Sequence, residues 1–231
     1  MALNIVWGRA GAGKTTFCLN TITTEMSLDP NGEPIIVLVP EQATFQVEKA
    51  LAARSAHGGF ARAQVLGFRR LADKVLAETG GASQPRITDL GKRLALRRLL
   101  AKHRDELKIL GRAARQRTFA ETLASAIWEF KTWLIVPDHL DRMQKQLGET
   151  PLAAKVHDLA LLYRSFEEYL AGRYHDPEDA LTLLAESIAQ SDLVRGGHIY
   201  IDGFHWFSPQ EYRVVEALLS AASNVTVTLC L

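Results

Sequence analysis

Residues 4–20 read NIVWGRAGAGKTTFCLN: an apolar run to Trp7, then three glycines in six residues, then Lys14, Thr15 and Thr16. A glycine inside a regular element costs roughly 0.5–1 kcal/mol relative to alanine, so these positions must need a bare backbone. Gly8, Arg9, Ala10, Gly11, Ala12, Gly13, Lys14 and Thr15 match G-x-x-x-x-G-K-[ST], the spacing of a phosphate-binding loop. Without Cβ atoms, successive backbone N–H groups can turn inward around a phosphate. A helix beginning at Lys14 adds its unpaired N-terminal donors and its dipole. In this pattern the lysine reaches the β- and γ-phosphates of ATP and the threonine hydroxyl holds Mg²⁺. The residues place the loop between a strand and a helix, the context that the pattern requires.

Working outward, a helix is expected from 14 to 26, and Asp29-Pro30-Asn31-Gly32 is a turn. PIIVLVP (34–40) is a β-branched run bounded by prolines, as in a strand buried on both faces. A helix over 44–53, a strand in AQVLGF (63–68) and a helix from Phe68 to the break at Gly80-Gly81 follow. From 88 to 190 strand signals vanish. Leu123, Ile127, Phe130 and Leu134, then Val156, Leu159, Tyr163, Phe166 and Leu170, recur at helical spacing. Strands return in GGHIYIDGF (196–204) and VTVTLCL (225–231), with a helix over 209–221 between them. Alternating strands and helices predict α/β architecture with a mostly parallel sheet. Residues 1–87 and 191–231 form its core, and 88–190 an inserted all-helical subdomain. The ending on an uncovered strand suggests part of a longer protein.

Composition narrows the function classes. With 27 basic and 26 acidic residues the net charge is +1, so a nucleic-acid surface has to be a local patch. Cys18 and Cys230 have no metal-ligand spacing and predict no disulfide framework, which fits a cytoplasmic protein. No apolar run is long enough for a membrane span, and no signal peptide is evident.

A second nucleotide-site residue is expected at the end of another apolar strand. HIYIDGF offers Asp202 there, for Mg²⁺, with a plain Asp-Gly turn as the alternative. Helicases that hydrolyse ATP carry a glutamate directly after that aspartate as base for the attacking water, and here Gly203 stands in its place. Glu211, the nearest carboxylate downstream, reads as a helix N-terminal residue.

GRAGAGKTT (8–16), PIIVLVPEQATFQVEKAL (34–51), AQVLGFRRLA (63–72), VHDLALLY (156–163) and HIYIDGFHWFSPQEYRVVEALL (198–219) together resemble the N-terminal part of the AddB subunits of bacterial AddAB helicase–nucleases. The similarity covers essentially the whole chain. It implies a P-loop NTPase fold of the superfamily-1 helicase type with the helical insertion before the Asp202 strand. It further implies an AddA-like partner, action on broken DNA, and an AddB-type protein that has lost motor function. Gly8 to Thr15 match the family's ATP loop, and Asp202 its DGF block. The family's nuclease residues and iron–sulfur cysteines belong to a far C-terminal region, so Cys18 and Cys230 are not cluster ligands. With the loop starting at residue 8, the reading expects no adenine-reading glutamine segment ahead of it.

Gln42 and Thr44 lie where related helicases touch single-stranded DNA, and Phe68, Arg69 and Arg70 follow the third strand similarly, pairing polar groups with a stacking ring. Arg93, Arg97, Arg104 and Lys108 would share one stripe on an unbroken helix, which reads as a solvated face. Trp128 and Trp133 read as packing residues, and His157 and Tyr163 need no function. A small-molecule or nucleoside kinase and an architectural domain with a relic loop remain alternatives.

Overall fold

The structure is a computed structural model and describes residues 2–55, 58–81, 84–116 and 118–230. Two compact units divide the chain: residues 1–81 with 180–231, and residues 82–179.

The first unit is built on a parallel sheet. Its elements are β1 (Ala2–Gly8), α1 (Lys14–Leu28), β2 (Ile35–Leu38), α2 (Thr44–Ala52), β3 (Ala63–Leu66) and α3 (Phe68–Thr79). The second unit follows, with α4 (Asp89–Lys102), α5 (Phe119–Thr132), α6 (Pro137–Leu147) and α7 (Pro151–Leu170). The chain then completes the first with α8 (Ala180–Ser187), β4 (His198–Ile201), α9 (Pro209–Ala221) and β5 (Asn224–Cys230). The strand order is β1-β5-β4-β2-β3, every neighbouring pair parallel.

Alternation along the strands builds two cores. Ile36, Leu38, Leu66, Ile199, Ile201, Val225 and Val227 face Leu71 and Val75 of α3, Leu184 of α8 and Val214 and Leu218 of α9. Ile35, Val37, Ala63, Val65 and Tyr200 face Cys18, Leu19 and Ile22 of α1 and Leu51 of α2. Both faces are covered, which is why β2 reads as an unbroken apolar run. Tyr200 also donates its hydroxyl hydrogen to Glu25 Oε1 at 2.6 Å, and Glu25 Oε2 lies 2.9 Å from His198 Nδ1. This polar clamp holds α1 against β4.

One outcome differs from the sequence reading. The boundary of the helical part falls at 180 and not at 191, because Leu184 and Ile188 belong to the core under α3 and α9. On the other side it falls at 82. The N-terminal apolar run is an edge strand, leaving Leu3, Ile5 and Trp7 exposed among the described residues.

In the helical unit, Leu96, Leu99 and Leu100 of α4, Leu123 and Ile127 of α5 and Val156, Tyr163 and Phe166 of α7 form one core. Asp158, on α7, is fully buried yet satisfied: its oxygens accept the backbone N–H groups of Lys108, Ile109 and Leu110 at 2.8–2.9 Å. Lys131 continues the buried stripe of α5 and ends against Asp176, Asp179 and Glu167 at 2.8–2.9 Å. Trp128 and Trp133, expected in the packing, are about half exposed. Trp128 follows the buried Ile127 by one residue, so about 100° of helical rotation carries it off the stripe. No helix among the described residues is long and apolar enough to cross a membrane.

Candidate functional site

The glycine-rich segment joins the end of β1 to the start of α1. Gly11 and Gly13 have φ of +77° and +84°, the left-handed region that a side chain disfavours. Gly13 is the residue before the helix and supplies no side-chain cap, so the first N–H groups of α1 are not capped by it. Arg9 to Gly13 are exposed. The Lys14 ammonium folds back over this loop, donating to the carbonyls of Gly8 at 2.8 Å and Arg9 at 2.9 Å.

Asp202 follows β4 directly and is 5% exposed. Its backbone N–H donates to Leu38 O at 3.0 Å, continuing the ladder with β2. Thr15 donates its hydroxyl hydrogen to Asp202 Oδ2 at 2.6 Å across 187 residues of sequence. Thr228 of β5 donates to the other oxygen, Oδ1. Because β5 lies between β1 and β4, its Thr228 reaches Asp202 from the strand that separates the carboxylate from the loop strand. Sequence reasoning missed Thr228, which looks like an ordinary polar position in an alternating strand. Burial, reinforced by the Asp202 charge, pushes the Cys18 thiol up to about 12, so this cysteine stays a protonated core side chain. Thr15 and Asp202 offer hard oxygen donors, the kind that Mg²⁺ takes in ones and twos beside nucleotide phosphates. Among the described residues no cluster of three or more His, Cys, Asp or Glu could hold a metal by itself.

The residue after Asp202 is fixed by backbone geometry. Gly203 has φ +81°. Glu211 is committed elsewhere: its Oε2 accepts the Ser208 N–H at 2.7 Å while Ser208 Oγ accepts the Glu211 N–H at 3.3 Å, a reciprocal cap on α9.

The residues expected to meet DNA separate into two groups. Gln42, Arg69 and Arg70 are exposed on the segments that follow β2 and β3. Thr44 is half-buried, and its hydroxyl is used by the Glu41 carbonyl at 2.9 Å. Phe68 is 5% exposed, with its ring edge-on to Phe204 and Phe207 at 5.3 and 6.3 Å. Phe45, in the first turn of α2, and Trp206, in the segment after Asp202, are exposed rings. Glu41 ties two of these segments together by accepting the Arg69 N–H at 3.2 Å in the first turn of α3. The basic stripe is not continuous, because α4 ends at Lys102. Arg93 pairs with Glu121 at 2.8 Å, and Arg104 and Lys108 lie beyond the helix.

Comparison with known proteins identifies the family. The family model described as ADDB, N-terminal, matches residues 5–231. Proteins named as the B subunit of an ATP-dependent helicase/deoxyribonuclease are similar to the whole chain. Those of Desulforudis audaxviator (strain MP104C) and Pelotomaculum thermopropionicum (strain DSM 13744 / JCM 10971 / SI) are each 51% identical, with all of this chain and 20% of the relative aligned. That of Heliobacterium modesticaldum (strain ATCC 51547 / Ice1) is 49% identical, with 100% of this chain and 19% of the relative covered. The chain thus spans about one fifth of the length of these relatives. With a family match from residue 5 to residue 231 and about half of all positions identical in these relatives, the chain belongs to the AddB N-terminal family.

Proposed function

We propose that this chain is an ATP-binding, helicase-like domain of an AddB-type protein, without motor activity of its own, serving DNA handling and assembly with an AddA-like partner. The observation that carries the reading is the meeting of Thr15 and Asp202 at 2.6 Å beneath a loop whose Gly11 and Gly13 adopt left-handed backbone. Residues 8–15 would surround the phosphates with N–H groups. Lys14 would exchange its two loop carbonyls for phosphate oxygens, a stronger charge-assisted pairing. Thr15 and Asp202 would hold Mg²⁺, which when bound neutralises charge on the β- and γ-phosphates. A P-loop sheet of the superfamily-1 helicase type accounts for the strand order, with the helical unit as its insertion.

The placement of the carboxylates supports the absence of hydrolysis in this reading. The position after Asp202 is a left-handed glycine, and Glu211 is held in the α9 cap. Neither can orient a water. DNA contact is assigned to Gln42, Arg69 and Arg70 with Phe45 and Trp206 as stacking surfaces, the combination of phosphate donors and rings that single strands favour. The relatives are named for a helicase/deoxyribonuclease, which supports placing the whole protein in DNA break processing.

Phosphate release, with saturating single-stranded DNA, tests the non-motor reading. The wild type and Lys14→Ala should be equally silent. Turnover of about 1 s⁻¹ or faster, abolished in Lys14→Ala, is ordinary enzyme speed and would overturn it.

A further inference from the structure

The helical unit holds a cleft of about 340 Å³ between α4 and α7, lined by Arg98, Lys102, Ser165, Glu168, Tyr169 and Arg173. We infer that this cleft binds the phosphodiester backbone of a nucleic-acid strand.

The charges carry the inference. On α4, Lys92 is neutralised by Asp176 at 2.6 Å and Glu178 at 3.2 Å, and Arg93 by Glu121 at 2.8 Å. Arg98 and Lys102, on the same helix, are exposed and have no ion-pair partner among the described residues. They stand one turn apart, about 6 Å along the axis. Arg173, just past α7, is exposed too and likewise lacks a carboxylate partner among the described residues. Its guanidinium lies 5.5 Å from the centroid of the Tyr169 ring, which stacks on Tyr174 at 6.3 Å and 19°. That contact holds the guanidinium in place and leaves its N–H fork free. Three free cations therefore line the cleft beside one acid, Glu168, in a chain whose total charge is only +1.

A neighbouring cleft in the same unit shows the contrast. It is lined by Asp89, Glu121 and Glu178 as well as Lys92 and Arg93, already paired, and would repel phosphates. The floor of the basic cleft is fixed, since Ser165 Oγ lies 3.1 Å from His103 Nε2 and His103 Nδ1 lies 2.8 Å from Glu106. Between the polyanions that such a cleft could take, the DNA handling proposed above favours a nucleic acid over an acidic peptide, and to that extent the inference rests on that reading. Neither the family match nor the names of the relatives assign this cleft.

The test is fluorescence anisotropy with a labelled oligothymidylate of about 20 nucleotides, titrated between about 50 and 200 mM salt. The intact 231-residue chain is compared with Arg98→Ala/Lys102→Ala/Arg173→Ala and with a charge control, Arg142→Ala/Lys145→Ala/Lys155→Ala. Three lost phosphate contacts should lower the steepness of log K against log salt by about 2, at about 0.7 per contact on a single strand. The control should keep the wild-type slope. Arg98→Ala and Lys102→Ala singly, each lowering it by about 0.7, serve if the triple variant melts early. Equal slopes in wild type and triple variant, an equal loss in the control, or no binding by the wild type at the lowest salt would each overturn the inference. Displacement by polyglutamate at equal charge would assign the cleft to acidic protein instead, and also overturn it. Lys14→Ala, which probes the glycine loop, should bind the oligonucleotide as wild type does, so the two assignments fail separately.

Discussion

Replacing Gly203 tests whether the residue after Asp202 is set by backbone geometry. Its φ of +81° lies in the left-handed region, which costs an L-residue roughly 1–2 kcal/mol. A Cβ there would meet Pro40 Cδ at 3.5 Å, an ordinary contact, so packing adds nothing and the backbone accounts for the effect. Alanine recovers about 0.4–1 kcal/mol by restricting the unfolded chain, leaving a net loss near 1 kcal/mol. For a chain of this size that is a fall in Tm of about 2–4 °C. Gly59→Ala is the control: it has no positive φ, nothing stands within 4 Å of its Cβ, and it should stay within about 0.5 kcal/mol of wild type. Thermal unfolding followed by circular dichroism reads both. Gly203→Glu carries the same backbone penalty, so it should be destabilised and should not gain phosphate release. A Gly203→Ala melting point at or above wild type, or ATP turnover gained by Gly203→Glu, would refute the reasoning.

Three further substitutions probe the scaffold. Burial pushes the Asp158 carboxyl up, but the N–H groups of Leu110, Lys108 and Ile109, helped by His157, outweigh it and hold the group below the usual carboxylate range. A depressed folded pKa contributes stability that is present above the unfolded value, about 3.9, and lost as pH falls through the folded one. Urea midpoints should therefore drop on acidification below about pH 4 in wild type and drop less in Asp158→Asn, which starts about 1–3 kcal/mol lower at neutral pH. Equal acid limbs would contradict this. Lys131→Met leaves Asp176, 2% exposed, without one of its two lysines and should cost about 3–5 kcal/mol in denaturant unfolding. A loss under about 1 kcal/mol would show the cluster to be inconsequential. Glu41→Ala removes the acceptor at the start of α3 and should cost about 0.5–2 kcal/mol, with faster hydrogen exchange at the Arg69 amide. Unchanged exchange there would show that Glu41 does not cap the helix.

Local signals made the sheet legible. The β-branched run at 35–38, the strand before Asp202 and the alternating strand at the end were each readable, because burial on both faces or on alternate faces writes itself into neighbouring residues. Contacts made across the fold left no such mark. Thr228 bonding Asp202, Glu41 reaching α3 and Lys131 inside an apolar stripe depend on elements far apart in sequence. A ring after a strand reads the same in the sequence whether it is free or, like Phe68, packed against Phe204 and Phe207. The junction at 180 was hidden because α8 has ordinary helical periodicity, and only its packing against α3 and α9 assigns it to the sheet unit.

The central claim is that residues 8–15 bind the phosphates of ATP with Lys14 as their charged partner. Isothermal titration calorimetry of ATP with Mg²⁺ into the wild type and Lys14→Ala tests it most directly. A hydrogen bond to a charged group is worth about 1.5–3 kcal/mol, so the account predicts saturable wild-type binding weakened about 10- to 150-fold by the substitution. Absence of wild-type binding, or equal affinity in Lys14→Ala, would contradict it.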